Sequence, residues 1–225
     1  MRKLLSSVCV AAAIAFSGAA QAVVLVPGVT TPLPGTSAAS DPSLAGTIIQ
    51  DILTPFTMST PGGAVTGDIQ SRVVLAVDGT LDFYWRVIND PTSAGPVGVL
   101  RTGDFSTSSY NANFRTDGVG TVAPQTAFLF VSPTPGFINF AFPGPQGLQP
   151  GQSSLFIFLD TNATNYAQTA FVDVATFGTF QTSNEISTFG PASVVPEPST
   201  WAMLLIGFLG LGSAFRQSRR KVSFA

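Results

Sequence analysis

A run of alternating residues, Ile69 to Ile88, constrains the fold of this chain more than any other feature in it. Ile69, Ser71, Val73, Leu75 and Val77 alternate with Gln70, Arg72, Val74 and Ala76. After Asp78-Gly79, Leu81, Phe83, Trp85 and Val87 alternate with Asp82, Tyr84, Arg86 and Ile88. A period of two puts each set on one face of a strand, so the run predicts a hairpin with one buried face. Asp-Gly suits a two-residue type I′ turn. That turn, however, pairs Val77 with Thr80 and sends the two apolar sets to opposite faces. A loop one residue longer pairs Val77 with Leu81, Leu75 with Phe83 and Val73 with Trp85. Burying six large side chains, each worth about 1.5–3 kcal/mol, outweighs one turn preference. The expectation is a three-residue loop or an adjacent bulge. Val73, Leu75, Val77, Leu81, Phe83, Trp85 and Val87 then form the core face, at the cost of Arg72 opposite Arg86 outside.

Further strands are expected at turn-bounded intervals: Ala45 to Leu53, Val97 to Arg101, Tyr110 to Arg115, Ala127 to Val131, Phe137 to Phe142, Ser154 to Leu159, Ala170 to Thr176 and Phe180 to Thr188. Leu155 to Leu159 is continuously apolar, as a central strand buried on both sides would be. Pro-Gly pairs at 61–62, 135–136 and 150–151 punctuate the pattern. Eight to ten short strands predict an all-β fold, an antiparallel β-sandwich of jelly-roll or immunoglobulin-like type. The stretch Val26 to Pro42, rich in Pro, Thr, Ser and Gly, reads as a flexible or extended lead-in. The four arginines of the domain fall 14 or 15 residues apart without a repeat around them, a spacing set by strand length and chance.

The two ends differ in kind from the middle. Arg2 and Lys3, the apolar run Leu4 to Phe16, and Ala20-Gln21-Ala22 have the order of a secretory signal, with signal peptidase cutting after Ala22. The mature chain would start at Val23. A second uncharged apolar stretch runs from Trp201 to Phe215; counted from Ser199 it gives 17 residues, about 25 Å of helix against a hydrocarbon core of about 30 Å, a short membrane span. Arg216, Arg219, Arg220 and Lys221 follow and hold that end on the cytoplasmic side, so the domain points outward. The expected organisation is a signal peptide over 1–22, the lead-in over 23–44, the sandwich over 45–194 and a sorting tail over 195–225.

That tail resembles a known signal. Val195-Pro196-Glu197-Pro198-Ser199, the apolar helix beginning at Trp201 and the basic cluster at Arg216, Arg219, Arg220 and Lys221 stand in the order of the PEP-CTERM sorting signal. The resemblance implies recognition by an exosortase, a transpeptidase-like membrane enzyme of Gram-negative bacteria. It also implies a transient anchor in the inner membrane, then release to the cell surface or an exopolysaccharide matrix. Short segments at Gly79 to Trp85, Arg115 to Gly120 and Leu148 to Ser153 look like segments common among such cargo, and imply no reaction.

Composition narrows the chemistry. Between Val23 and Val194 there are four basic residues, Arg72, Arg86, Arg101 and Arg115, against eleven acids, a net charge of −7. Phosphate contacts need positive charge, so nucleic acid is not an expected partner. The chain has no histidine, which removes Ser-His-Asp and Cys-His catalysis and histidine-ligated metals. Its one cysteine, Cys9, lies in the leader. Asp78, Asp82, Asp160 and Glu185 are candidate carboxylates for glycoside hydrolysis, but nothing in their spacing selects a pair. Asp160 to Asn165 places oxygen side chains at alternate positions, as a calcium loop does, yet lacks the glycine and the distal glutamate. Gly118-Val119-Gly120 lacks the strand-to-helix context of a phosphate loop. No cofactor is expected. The first expectation is an exported, non-catalytic surface or matrix protein. The alternative is a carbohydrate-binding module, with Tyr84, Tyr110 and Tyr166 as sugar-stacking residues.

Overall fold

The computed structural model describes residues 21–131, 136–178, 181–192 and 198–220, and in the last stretch the side chains of 202–213, 215 and 216. The expected signal helix and Ala20 lie outside these residues. The chain divides into two units, Met1–Pro191 and Ala192–Ala225.

In the first unit the described strands are β1 (Val23–Val24), β2 (Thr30–Pro32), β3 (Gly46–Thr60), β4 (Gly63–Ala76), β5 (Leu81–Asn89), β6 (Val99–Gly103), β7 (Asn111–Phe114), β8 (Thr126–Leu129), β9 (Ile138–Ala141), β10 (Ile157–Asp160), β11 (Tyr166–Ala175) and β12 (Ile186–Pro191). They form two antiparallel six-stranded sheets: sheet A in the order β1-β7-β10-β5-β4-β3, sheet B in the order β12-β11-β6-β9-β8-β2. The expected all-β, two-sheet antiparallel architecture is present. Its core lies between the inner faces, where Phe105 packs edge-to-face on both Phe83 (5.2 Å) and Trp85 (5.7 Å). Such ring pairs add about 0.5–1.5 kcal/mol beyond the area they bury. The indole Nε1 of Trp85 donates to Thr188 Oγ1 at 2.8 Å, and Thr188 is 3.0 Å from Ser71 Oγ. One polar chain thus ties β4 and β5 of sheet A to β12 of sheet B through the core.

The hairpin of β4 and β5 buries the expected face but in a different register. Leu75 pairs with Leu81, Val73 with Phe83 and Ser71 with Trp85, while Arg72 stands opposite Tyr84 and Gln70 opposite Arg86. The slip relative to expectation is two residues, so each side chain keeps its face. The loop has three residues, but they are Val77, Asp78 and Gly79: Ala76 N donates to Thr80 O at 2.9 Å across it. Asp78 Oδ1 accepts from Thr80 N (3.0 Å) and from Thr80 Oγ1 (2.6 Å), and Gly79 takes φ +86°. This side-chain turn draws Val77 out of the ladder. Val77 is therefore 70% exposed and Leu75 40% exposed, whereas Ile69, Val73, Leu81, Phe83, Trp85 and Val87 are buried.

β10 takes up only the second half of the apolar run Leu155 to Leu159, from Ile157, and it is covered on both sides as expected. Ile157 and Leu159 join the main core, while Phe156 and Phe158 join a second, smaller cluster with Leu44, Val74 and Tyr84. The lead-in supplies that second cover. It is extended and built into both sheets, through β1 on β7 and β2 on β8. Leu25 and Leu33 reach the main core, and a 3-10 turn at Pro42–Leu44, capped by Asp41, sets Leu44 on the outer cluster.

The second unit holds one described helix, α1 (Pro198–Arg220). Its described side chains, including Met203, Leu204, Leu205, Ile206 and Phe208, are exposed. No helix among the described residues is long and apolar enough to cross a membrane. The expected membrane-spanning helix is thus not shown: the longest uninterrupted stretch of described side chains, 202–213, is about 18 Å of helix and includes three glycines.

Candidate functional site

The residues expected to direct sorting fall in and around α1. Pro196, Glu197 and Lys221 lie outside the described residues, Pro198 opens α1, Arg216 is exposed near its end, and Arg219 and Arg220 close it. Of the signal-cleavage pair, Ala22 is described: it packs against the outer cluster of sheet A. Just upstream, the Gln21 carbonyl accepts a hydrogen bond from Asn113 Nδ2 at 3.0 Å.

In the sandwich unit the outer face of sheet A gathers most of the charge. Pairing sets Asp51 beside Arg72, Arg72 beside Tyr84, and Tyr84 beside Phe158; Gln70 stands beside Arg86. Arg115 N donates to the Phe156 carbonyl at 2.8 Å, which brings Arg115 to the same face. Three of the domain's four basic residues therefore converge there. The Arg72 guanidinium lies 4.3 Å from the centre of the Phe156 ring and that of Arg86 5.4 Å from the same centre. Arg72 donates to Asp51 at 2.8 Å. Arg115 grips Asp117 with two bonds, 2.7 and 2.9 Å, and its Nη1 donates to Leu44 O at 3.2 Å. Arg86 has no hydrogen-bond or ion-pair partner among the described residues. Burial first, and Arg72 second, lower its pKa. The Nε atoms of Arg72 and Arg86 are both buried without an acceptor.

Beside these groups lies a cavity of about 610 Å³ between the lead-in and the 117–119 loop. Its floor is Arg72, Val74, Tyr84, Arg115 and Phe156, and its rim includes Leu44, Ile48, Asp117 and Val119. Ile48 and Val119 are 49% and 56% exposed, so the mouth faces solvent.

Two strands' ends further along the same face, Asp82 and Asp160 hydrogen-bond to each other. Asp82 is 1% exposed; its pKa is pushed up to about 8, by burial above all and by Asp160 next. Asp160 is raised as well, by burial and then by Asp41. One proton shared by two touching carboxyls is the chemistry this geometry supports. Hydrolysis of a glycoside needs carboxyls about 5 Å apart or more with the sugar between them, and here no gap separates them. Asp78 is tied to Thr80 in the hairpin loop. The segment after Asp160 is pinned to β5, with Thr161 Oγ1 donating to Leu81 O at 2.6 Å. Among the described residues no three acidic side chains are grouped to hold a metal ion.

The three tyrosines are placed for packing rather than stacking on sugars. Tyr84 is buried, Tyr110 donates its hydroxyl to Phe105 O at 3.0 Å, and Tyr166 packs on Phe189 and accepts from Gln50 Nε2 at 3.0 Å. On the outer face of sheet B, Phe128, Phe130, Phe137 and Phe171 touch edge-to-face in sequence, with centres 4.8 to 6.0 Å apart. They cover one another; only Phe130, at 39%, is more than a third exposed. Arg101, beside this row, is held by two bonds to the buried Asp173.

No curated protein and no solved structure matches the chain. The family model of the PEP-CTERM protein-sorting motif matches residues 194–221, and so spans the Pro196-Glu197-Pro198 triplet, the apolar stretch and the basic cluster through Lys221: the chain carries a PEP-CTERM sorting motif.

Proposed function

We propose that this chain is an exported, non-catalytic protein of the cell surface or exopolysaccharide matrix, delivered by an exosortase. The observation that carries the reading is the sorting motif over residues 194–221. Signal peptidase removes the leader after Ala22 and leaves Val23 to begin β1. The apolar stretch from Trp201 to Phe215 then holds the chain at the inner membrane, and the basic cluster keeps the far end inside. A weak anchor suits a segment meant to be cut away.

The sandwich supports a binding or structural role over a catalytic one. Histidine is missing from the sequence, and the carboxyls of Asp82 and Asp160 touch without room for a substrate between them. Carbohydrate binding gains support from the arginine-lined cavity on sheet A alone. Sorting is tested by changing Glu197 to Ala in the producing cell and fractionating it. The variant should stay full-length in the inner membrane; release equal to that of the unchanged protein contradicts the reading.

A further inference from the structure

The cavity on the outer face of sheet A is lined by four polar side chains, Arg72, Tyr84, Arg115 and Asp117. Its two cations are already neutralised: Arg72 is paired with Asp51 at 2.8 Å, and Arg115 holds Asp117 with two bonds. An anion would have to compete with one of these carboxylates, inside a domain whose net charge is −7. A cation would meet two guanidinium groups. Charge therefore selects an uncharged ligand. Two of the polar groups keep bonding capacity. The hydroxyl oxygen of Tyr84 lies 3.5 Å from Nη1 of Arg115. Arginine only donates, so the phenolic proton is left over, and no described residue accepts it. Tyr84 is 3% exposed, and burial first, Asp82 second, raise its pKa, so that proton stays in place. Asp117 has about four acceptor positions and fills three, two with Arg115 and one with the Ala38 N–H. The rest of the lining is mainly apolar, with Leu44 and Val74 inside and Ile48 and Val119 at the open mouth.

We infer that this cavity binds a neutral pyranose, free or as a unit of a glycan. A sugar hydroxyl both accepts and donates, so one ligand serves the Tyr84 proton and the open position on Asp117 together. The C–H faces of the ring cover Leu44, Ile48, Val74 and Val119. A hydrocarbon of the same size would shut the Asp117 carboxylate and the Tyr84 hydroxyl away from water without a partner, and burying a polar group unpaired is costly. A volume of about 610 Å³ lies within the range of small-molecule sites, and an apolar pocket with a few convergent polar groups is their usual form. The inference deepens the carbohydrate-binding reading, and rests on it, by fixing the charge of the sugar and the groups that meet it.

The test uses the full chain in detergent, titrated calorimetrically with glucose, galactose and mannose, with neutral oligomers of each, and with an oligomer of glucuronate. Saturable binding of at least one neutral sugar is expected, tighter than that of the glucuronate oligomer and the same at low and physiological ionic strength. Tyr84→Phe keeps the ring on Phe158 and removes the hydroxyl proton, and should weaken binding about fivefold. Val119→Asp, at a side chain 56% exposed, should weaken it about tenfold or more and leave thermal unfolding unchanged. Val131→Asp, which adds the same charge at a side chain 75% exposed beyond β8, should leave binding unaltered. Binding of a monosaccharide as tight as that of its oligomer assigns a free sugar, and tighter binding of the oligomer assigns a glycan. Equal or tighter binding of the glucuronate oligomer overturns the inference and leaves carbohydrate binding standing, whereas no binding of any sugar removes both. Undiminished binding in Tyr84→Phe or in Val119→Asp also overturns it. Sorting is read separately, from Glu197→Ala.

Discussion

The carboxyl groups of Asp82 and Asp160 share a hydrogen bond across β5 and β10, at a place where Asp82 is almost wholly buried. Folding therefore takes up a proton. Asp82 sits near 3.8 when unfolded and at about 8 when folded. Its contribution to stability is full below the unfolded value and is lost as pH rises through the folded one. Asp160 shifts in the same direction. No histidine titrates in this window, because the chain has none. Urea unfolding should show stability falling by on the order of 2–4 kcal/mol from pH 4 to pH 8. Asp82→Asn should flatten the slope and be the more stable form at pH 8. A slope unchanged in that variant would show that the proton resides elsewhere.

The polar chain from Trp85 through Thr188 to Ser71 links the two sheets inside an apolar core. Thr188→Val keeps the shape and removes both bonds, leaving the indole N–H buried without a partner. The expected loss is about 1–3 kcal/mol in chemical denaturation. A change within a few tenths of a kcal/mol would mean that another acceptor takes the indole proton.

Two glycines separate backbone strain from crowding. Gly79 and Gly120 both have positive φ, +86° and +112°. A Cβ on Gly79 meets nothing within 4 Å, while one on Gly120 falls 2.0 Å from the Ser154 carbonyl oxygen. Gly79→Ala should cost about 1 kcal/mol, for conformation alone. Gly120→Ala should cost clearly more, since a backbone carbonyl cannot step aside. Equal midpoints in parallel thermal melts would refute this ordering.

Alternation made the strands and the buried face of the hairpin legible, because period two fixes which side each residue takes. The register was not legible to the residue. It turned on whether Asp78 bonds Thr80, a local contact that competes with keeping Val77 in the ladder. The site was less legible still. Arg72, Arg86 and Arg115 looked like an accident of strand spacing, and strand spacing is what joins them. They belong to or adjoin β4, β5 and β7, and β10, paired between β5 and β7, follows directly on Phe156, whose ring lies beside Arg72 and Arg86. Tyr84 read as a sugar-stacking candidate because it alternates outward. The lead-in covers that face through Leu44, a long-range contact that no local pattern carries. The sorting motif was fully legible, since its parts are read along the chain in order.

On the proposed reading, an exosortase separates the sandwich from its tail. The most direct measurement is the mass of the C-terminal peptide of the protein recovered from the cell surface or medium, after proteolysis. The expected result is a chain ending near Pro196 to Pro198, without any peptide from Trp201 to Lys221. Surface protein that still carries Arg216 to Lys221 would contradict it.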